Sequence, residues 1–262
     1  MGRGAFWGCF GMKRTARFSS GGEEILVCGA RAVGAMLAEG RARRIWAAAD
    51  GKNPRVQEIL AQAQRAGIPI QKISAAQLAA KTAADLHQGI AAEARLPQAA
   101  WKDLLAAPQK TLVALDGVTD PRNLGAVMRA ARAFAAAGVV VCARRAAPLS
   151  AAAVRAAAGA AAFLPLSRVG NLRRALLDLR AAGWFLAGAS EQAELSVADA
   201  DLPPPVCWVL GDESGGLRRL TAESCDILAR LPAVRGEAGC LNVAAACAAC
   251  LALYAAKNRL PE

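Results

Sequence analysis

The chain has 262 residues, with 32 Lys+Arg against 21 Asp+Glu, a formal net charge of +11 and a pI near 9.8. That length can bury one large core or two smaller ones, and the basic excess points to a polyanionic partner. No apolar run reaches the length of a membrane span, so a soluble protein with no membrane partner is expected.

Residues 1–20 contain Arg3, Lys13, Arg14 and Arg17 without an acidic residue and end in ARFSS. Two readings are open, an organellar presequence that would place the protein in a mitochondrion or plastid, or a disordered basic arm on a cytoplasmic protein. The lack of a convincing amphipathic helix favours the arm. From ILVCG onward, ARAVGAMLAEG, RRIWAAA, PRVQEILAQAQRAG, IPIQKIS, AAQLAAKTA and HQGIAAEA alternate between strand and helix patterns. They predict a small α/β domain over 21–96. The Pro- and Lys-containing stretch 97–110 reads as a linker. Residues 1–98 hold 14 Lys+Arg against 7 Asp+Glu, and residues 99–262 hold 18 against 14. The smaller half therefore carries more of the excess, as expected of a nucleic-acid-holding module joined to a catalytic one.

Over 111–262 the predicted strands are TLVALD, GVVVCA, AFLPLS, WFLAGAS, VCWVLG and ILARLP, separated by helices such as NLRRALLDLRAAG. Their alternation implies an α/β fold with a mostly parallel sheet covered on both faces. The alanine tracts at 130–137 and 151–162 favour close-packed helix. Of the eight cysteines, Cys9, Cys28, Cys142, Cys207, Cys225, Cys240, Cys247 and Cys250, most lie in apolar patterns and read as reduced core residues. Cys247-x-x-Cys250 has ligand spacing, but it lies in an alanine-rich helix with no second pair and no nearby histidine, so no metal is expected.

The most informative stretch is Leu112 to Ala133, LVALDGVTDPRNLGAVMRAARA. A buried strand stops at the turn signals Asp116-Gly117 and Asp120-Pro121. A helix follows, with Asn123 at its start and Arg129 and Arg132 one turn apart, so an amide and a guanidinium can face the end of the sheet. VCWVLGDESGGL repeats the plan of a strand ending in a polar, glycine-rich turn. ILARLP, a loop with Gly236 and Gly239, and CLNVAAACAACLALY repeat it again. GDESGG lacks the Lys-Ser/Thr ending of a phosphate-binding P-loop, and no G-x-G-x-x-G follows the first strand of either domain.

Together these three segments resemble the ordered motifs of the SpoU family of SPOUT RNA ribose 2′-O-methyltransferases: D-P-x-N-x-G-x-x-x-R, L-G-x-E-x-x-G and P...S-L-N-V-S. The resemblance implies S-adenosylmethionine as methyl donor, a deep trefoil knot in the C-terminal domain and a homodimer formed through it. CGARAVGAML and His87-Gln88-Gly89 resemble the N-terminal, ribosomal-protein-like RNA-binding domain of bacterial large-subunit rRNA guanosine 2′-O-methyltransferases, so large-subunit rRNA is the implied substrate. By the same resemblance Arg129, Asn123, Glu213 and Asn242 are the catalytic set. Leu210, Gly211, Leu231, Gly236, Cys240 and Leu241 surround the cofactor, and Arg31, His87, Arg129 and Arg132 contact RNA. His87 is the sole histidine, and a hydrogen-bonded turn residue is its simplest reading.

A ribose hydroxyl is a weak nucleophile and the sulfonium methyl is already activated, so alignment is the protein's main contribution. The resemblance makes Arg129 the proton acceptor. A guanidinium with a pKa above about 12 is better suited to holding a phosphate and steadying a developing alkoxide. The chain departs from the family pattern at Cys240 and Ala244, both serine in relatives, and at Ala158 and Ala162, where Ser and Glu are usual. The loop between Pro232 and Leu241 is also one residue longer. Two rival readings follow: a tRNA ribose methyltransferase, which the N-terminal domain argues against, and a non-catalytic RNA-binding or ribosome-assembly factor that kept the fold.

Overall fold

The computed structural model describes residues 24–82, 87–97, 99–107, 111–213, 215–233 and 241–258. Two sheets organise the described residues. The first is mixed, built from β1 (Glu24–Cys28), β2 (Ala42–Ala48), β3 (Ile70–Ile73) and β4 (Ile90–Arg95) in the order β1-β4-β2-β3. Only β2 and β3 are parallel. Helices α1 (Ala30–Ala38) and α2 (Pro54–Arg65) pack on one another beside this sheet, and α3 (Ala75–Thr82) also packs against it. Asn53 caps α2 by accepting from the Arg55 N–H, with Pro54 supplying the preset first-turn φ. The stretch expected to be a linker contains a short helix, α4 (Trp101–Leu105), whose Leu104 is buried.

The second sheet is parallel throughout, in the order β10-β8-β9-β5-β6-β7. Its strands are β5 (Thr111–Asp116), β6 (Val139–Cys142), β7 (Leu166–Val169), β8 (Phe185–Ala189), β9 (Val206–Gly211) and β10 (Ile227–Ala229). Alternate residues of the central strands sort into two cores, as the period of two requires. Val113, Leu115, Trp208 and Leu210 join the core shared with α5 (Pro121–Ala133) and α9 (Val243–Asn258). Leu112, Ala114, Cys207 and Val209 join the core shared with α4 and α7 (Leu172–Ala181), and a single helical turn, α8 (Arg219–Ala222), precedes β10. Both faces are therefore dry, which is why these strands read as continuous apolar runs. Among the described residues no helix is long and apolar enough to cross a membrane. Cys247 and Cys250 are buried in α9, where desolvation pushes both thiols well above their usual range, that of Cys250 to about 12.

Two expectations are corrected. The strand drawn over AFLPLS forms later, at Leu166–Val169, because Pro165 has no N–H for the ladder and its carbonyl instead accepts from Val139 N at 3.0 Å. The alanine tract 151–162 is not one helix: α6 (Ala151–Ala156) ends where Ala158 (φ 50°) and Gly159 (φ 98°) turn left-handed, before a 3-10 turn at Ala160–Ala162. That break lets the tract dock against α1. The Ala162 carbonyl accepts from Arg41 Nε at 2.7 Å, and a side chain at Gly159 would press on Ala35.

Gly125 sits where α5 crosses α6, and a Cβ there would collide with the Ala153 carbonyl and the Ala156 methyl. Gly125→Ala is accordingly expected to lower the melting temperature. The helix-propensity gain of about 1 kcal/mol is outweighed by overpacking that costs about 1–3 kcal/mol against backbone. A thermal melt checks it, and a rise in Tm would contradict the close crossing.

Candidate functional site

The adjacent pairing of β5 and β9 puts Asp116 beside Gly211, so the loops that leave these two strands share one edge of the sheet. The Asp116 carboxylate is buried and held twice by Arg218, through its backbone N–H at 3.0 Å and its guanidinium Nη2 at 2.7 Å. This pair ties the first motif to the loop of the second. At Gly211 the chain folds back so that Gly216 and Leu217 occupy the space of a Cβ, which only glycine leaves open. Asp212 closes the turn, its Oδ1 accepting from Gly215 N at 3.0 Å and its carbonyl from Gly216 N at 3.0 Å. The tight turn presents Glu213 to solvent at the sheet edge.

Glu213 is the hub of a cluster drawn from all three motifs. Asn242 precedes α9, and its Oδ1 caps that helix by accepting from Ala244 N at 2.8 Å. The cap fixes the amide orientation, so Asn242 Nδ2 must face the other way. There it donates to Glu213 Oε1 at 2.5 Å and to Asn123 Oδ1 at 2.9 Å. Asn123 in turn donates from Nδ2 to the same Glu213 oxygen at 2.8 Å. Asn123 is held by α5, whose start is set by Asp120, which accepts from Arg122 N at 2.8 Å, and by Pro121. Residues 90 and 119 positions apart thus share one hydrogen-bonded set. The alanine at position 244 leaves the cap intact, because the cap uses the main chain.

The cap and the cluster can be separated experimentally. Asn242→Ala is expected to lower Tm by about 2–4 °C through the loss of about 1 kcal/mol of capping. Asn242→Asp keeps an acceptor for Ala244 N and should melt above Asn242→Ala, although its second carboxylate oxygen opposes Glu213. Thermal denaturation of the two variants decides it, and the reverse order would contradict the cap.

Beside this cluster a cavity of about 600 Å³ opens at the carboxyl ends of the strands. Its walls include Leu210, Gly211, Glu213, Leu231 and Leu241 from the expected set. The volume falls in the range of small-molecule sites, about 300–1,000 Å³. Sequence reasoning missed Ala189, which ends β8, Ser190 to Gln192, which follow it, and Arg230, which follows β10. Ligands of parallel α/β sheets bind outside the carboxyl ends of strands, so the ends of WFLAGAS and ILARLP carried the available signal.

The remaining expected residues that the structure describes lie elsewhere. Arg129 is exposed on α5, forms no hydrogen bond or ion pair among the described residues, and does not line the cavity. The Arg132 guanidinium lies 5.0 Å from the centroid of the Phe163 ring. Arg31 is exposed on the first turn of α1. His87 Nδ1 accepts from Gly89 N at 3.0 Å in the turn before β4, and the neighbouring Gln88 side chain accepts from Ala30 N at 3.0 Å. Gly236 and Cys240 lie outside the described residues.

A parallel sheet that carries a cavity of small-molecule size and a motif-built polar cluster on its carboxyl edge has the layout in which α/β proteins hold small ligands. The chain belongs to the SpoU rRNA methylase family, whose model matches residues 110–252, while residues 26–100 match the model of RNA 2′-O ribose methyltransferase substrate binding. It is 38% identical over 234 residues to the 23S rRNA (guanosine-2′-O-)-methyltransferase RlmB of Pseudomonas aeruginosa, covering 86% of this chain and 93% of that protein. The RlmB protein of Vibrio cholerae is 36% identical over 233 residues, covering 86% and 94%. Among solved structures, an RNA 2′-O ribose methyltransferase superposes with a TM-score of 0.78 at 27% identity over 90% of each chain. An AdoMet-bound rRNA methyltransferase from Sinorhizobium meliloti gives 0.76 at 26% identity, covering 91% of this chain and 88% of that one.

Proposed function

We propose that this protein transfers a methyl group from S-adenosylmethionine to the ribose 2′-hydroxyl of a guanosine in large-subunit rRNA. The observation that carries the reading is the double position of Glu213, which binds the amides of Asn123 and Asn242 and also walls the cavity. Family membership and the named activity of the RlmB relatives supply the reaction and the substrate.

The cavity suits the cofactor. Apolar side chains of Leu210, Leu228, Leu231 and Val243 offer walls for an adenine, and carboxylates at Glu191, Asp212 and Glu213 suit a ligand with a sulfonium and an ammonium group. When bound, the cofactor supplies an already activated methyl. The chain's own work is placement. Asn123, Glu213 and Asn242 lock the three motif loops together, so the cavity and the start of α5 keep one relative position. Arg129, exposed and unpaired among the described residues, holds the phosphate beside the reacting nucleotide and stabilises charge developing on the ribose oxygen. Titration calorimetry with S-adenosylmethionine tests the cavity: one saturable site per chain is expected, and no binding would overturn the reading.

In the same reading, residues 21–96 form the RNA-holding domain, with the ribosomal-protein-like fold that the resemblance implies, residues 97–110 join it to the catalytic domain 111–262, and residues 1–20 are a basic tail. Exposed Arg43, Arg44, Lys72 and Lys81 on the first sheet and α3 support RNA binding there. RNA affinity of the full chain is expected to fall about tenfold or more between 50 and 200 mM salt, since phosphate contacts release counterions. A filter-binding series checks this, and a flat salt dependence would remove the electrostatic role. The trefoil knot belongs to this reading as well. Its support is the path by which the chain leaves β9 for the edge strand β10 and returns as α9 against α5 and β9. A homodimer is the last part. Helix α9 is apolar around its circumference, with Ala245 and Ala252 exposed, which suits burial against a second copy.

A further inference from the structure

We infer that Arg230 is a cofactor-positioning residue that receives the carboxylate of the methionyl tail of S-adenosylmethionine; this rests on the reading of the cavity as the cofactor site. Arg230 is clamped through its backbone. Its N–H donates to Leu195 O at 2.9 Å and its carbonyl accepts from Val197 N at 2.8 Å. The alternation of an extended chain then sends Ala229 into the core and places Leu228 and Arg230 together on the cavity wall. The side chain has no hydrogen bond or ion pair among the described residues, and its Nε is buried without an acceptor. A buried donor of this kind is costly unless something arrives to satisfy it.

The charge pattern of the wall identifies what arrives. Among the described lining residues Arg230 is the sole cation, facing a cavity that also carries Glu191, Asp212 and Glu213. A purely cationic ligand would leave Arg230 unpaired, and a polyanion would meet three carboxylates. A tail bearing one carboxylate and one ammonium next to a sulfonium satisfies both signs. A guanidinium fork matches a carboxylate with two parallel N–H donors, which a point charge does not.

The test compares two ligands in calorimetry on the full chain, S-adenosylhomocysteine, which has the amino-acid tail, and 5′-methylthioadenosine, which lacks it. Arg230→Gln is expected to weaken S-adenosylhomocysteine at least about tenfold, or about 1.4 kcal/mol, and to leave 5′-methylthioadenosine within about twofold. Arg230→Lys should restore only part of the loss. The melting temperature should hardly move, because the anchors of this residue are main-chain groups. Equal losses for both ligands, or no loss for either, would overturn the assignment while leaving the cofactor site standing. A wild-type protein that binds neither ligand would overturn the cofactor reading itself, and this inference with it.

Discussion

Arg129→Ala is expected to lower methyl transfer by about 10²-fold or more at saturating S-adenosylmethionine while changing cofactor affinity by no more than a few-fold. The separation follows from position. Arg129 lies on α5 and takes no part in the cavity wall, whereas the wall comes from the chain after β8, β9 and β10 and from the start of α9. Its loss therefore removes a contact to the RNA, not to the cofactor. Alanine is the best helix former and the site is exposed, so folding should be spared. Arg129→Lys should recover little, because an ammonium cannot reproduce the planar fork. Single-turnover assays on rRNA fragments beside calorimetry measure both quantities, and near-wild-type turnover of Arg129→Ala would contradict the role.

Arg218→Ala is expected to produce the largest loss of stability, about 3 kcal/mol, which corresponds to roughly 6–12 °C in Tm. The reason is the asymmetry of the pair. The Asp116 side chain is 1% exposed and the Arg218 side chain 45%, so removing the arginine side chain takes the countercharge from a buried carboxylate. Asp116→Asn should cost less, since Arg218 can turn to water. Because the pair anchors the loop that presents Glu213, Arg218→Ala should also weaken cofactor binding. Denaturant titration of both variants checks the order, and equal stabilities would contradict it.

Much of this was legible in the chain. Strands with both faces buried announce themselves as apolar runs, and TLVALD and VCWVLG form where the pattern puts them, side by side and parallel. The cluster residues were legible for a different reason: Asn123, Glu213 and Asn242 end or begin elements whose turn and cap signals are local, so only their meeting in space needed the fold. What was not legible depends on long-range packing. The glycine at 125 is demanded by Ala153, 28 residues away, and nothing local distinguishes it from a turn glycine. The break at Ala158 and Gly159 serves docking onto α1, against the helix propensity of the tract. Arg230 directly follows the edge strand β10, whose pairing on β8 is set only when the sheet closes, and so is its place on the cavity wall.

The most direct test of the account is methyl mapping with the full chain, unmethylated 23S-type rRNA and S-adenosylmethionine labelled in its methyl group. The expected result is label on the 2′-oxygen of a guanosine, seen as a single linkage resistant to alkaline hydrolysis and absent with Arg129→Ala. Saturable cofactor and RNA binding with no label transferred would contradict the central claim, and would mark the protein as an RNA-binding factor that keeps the fold without the reaction.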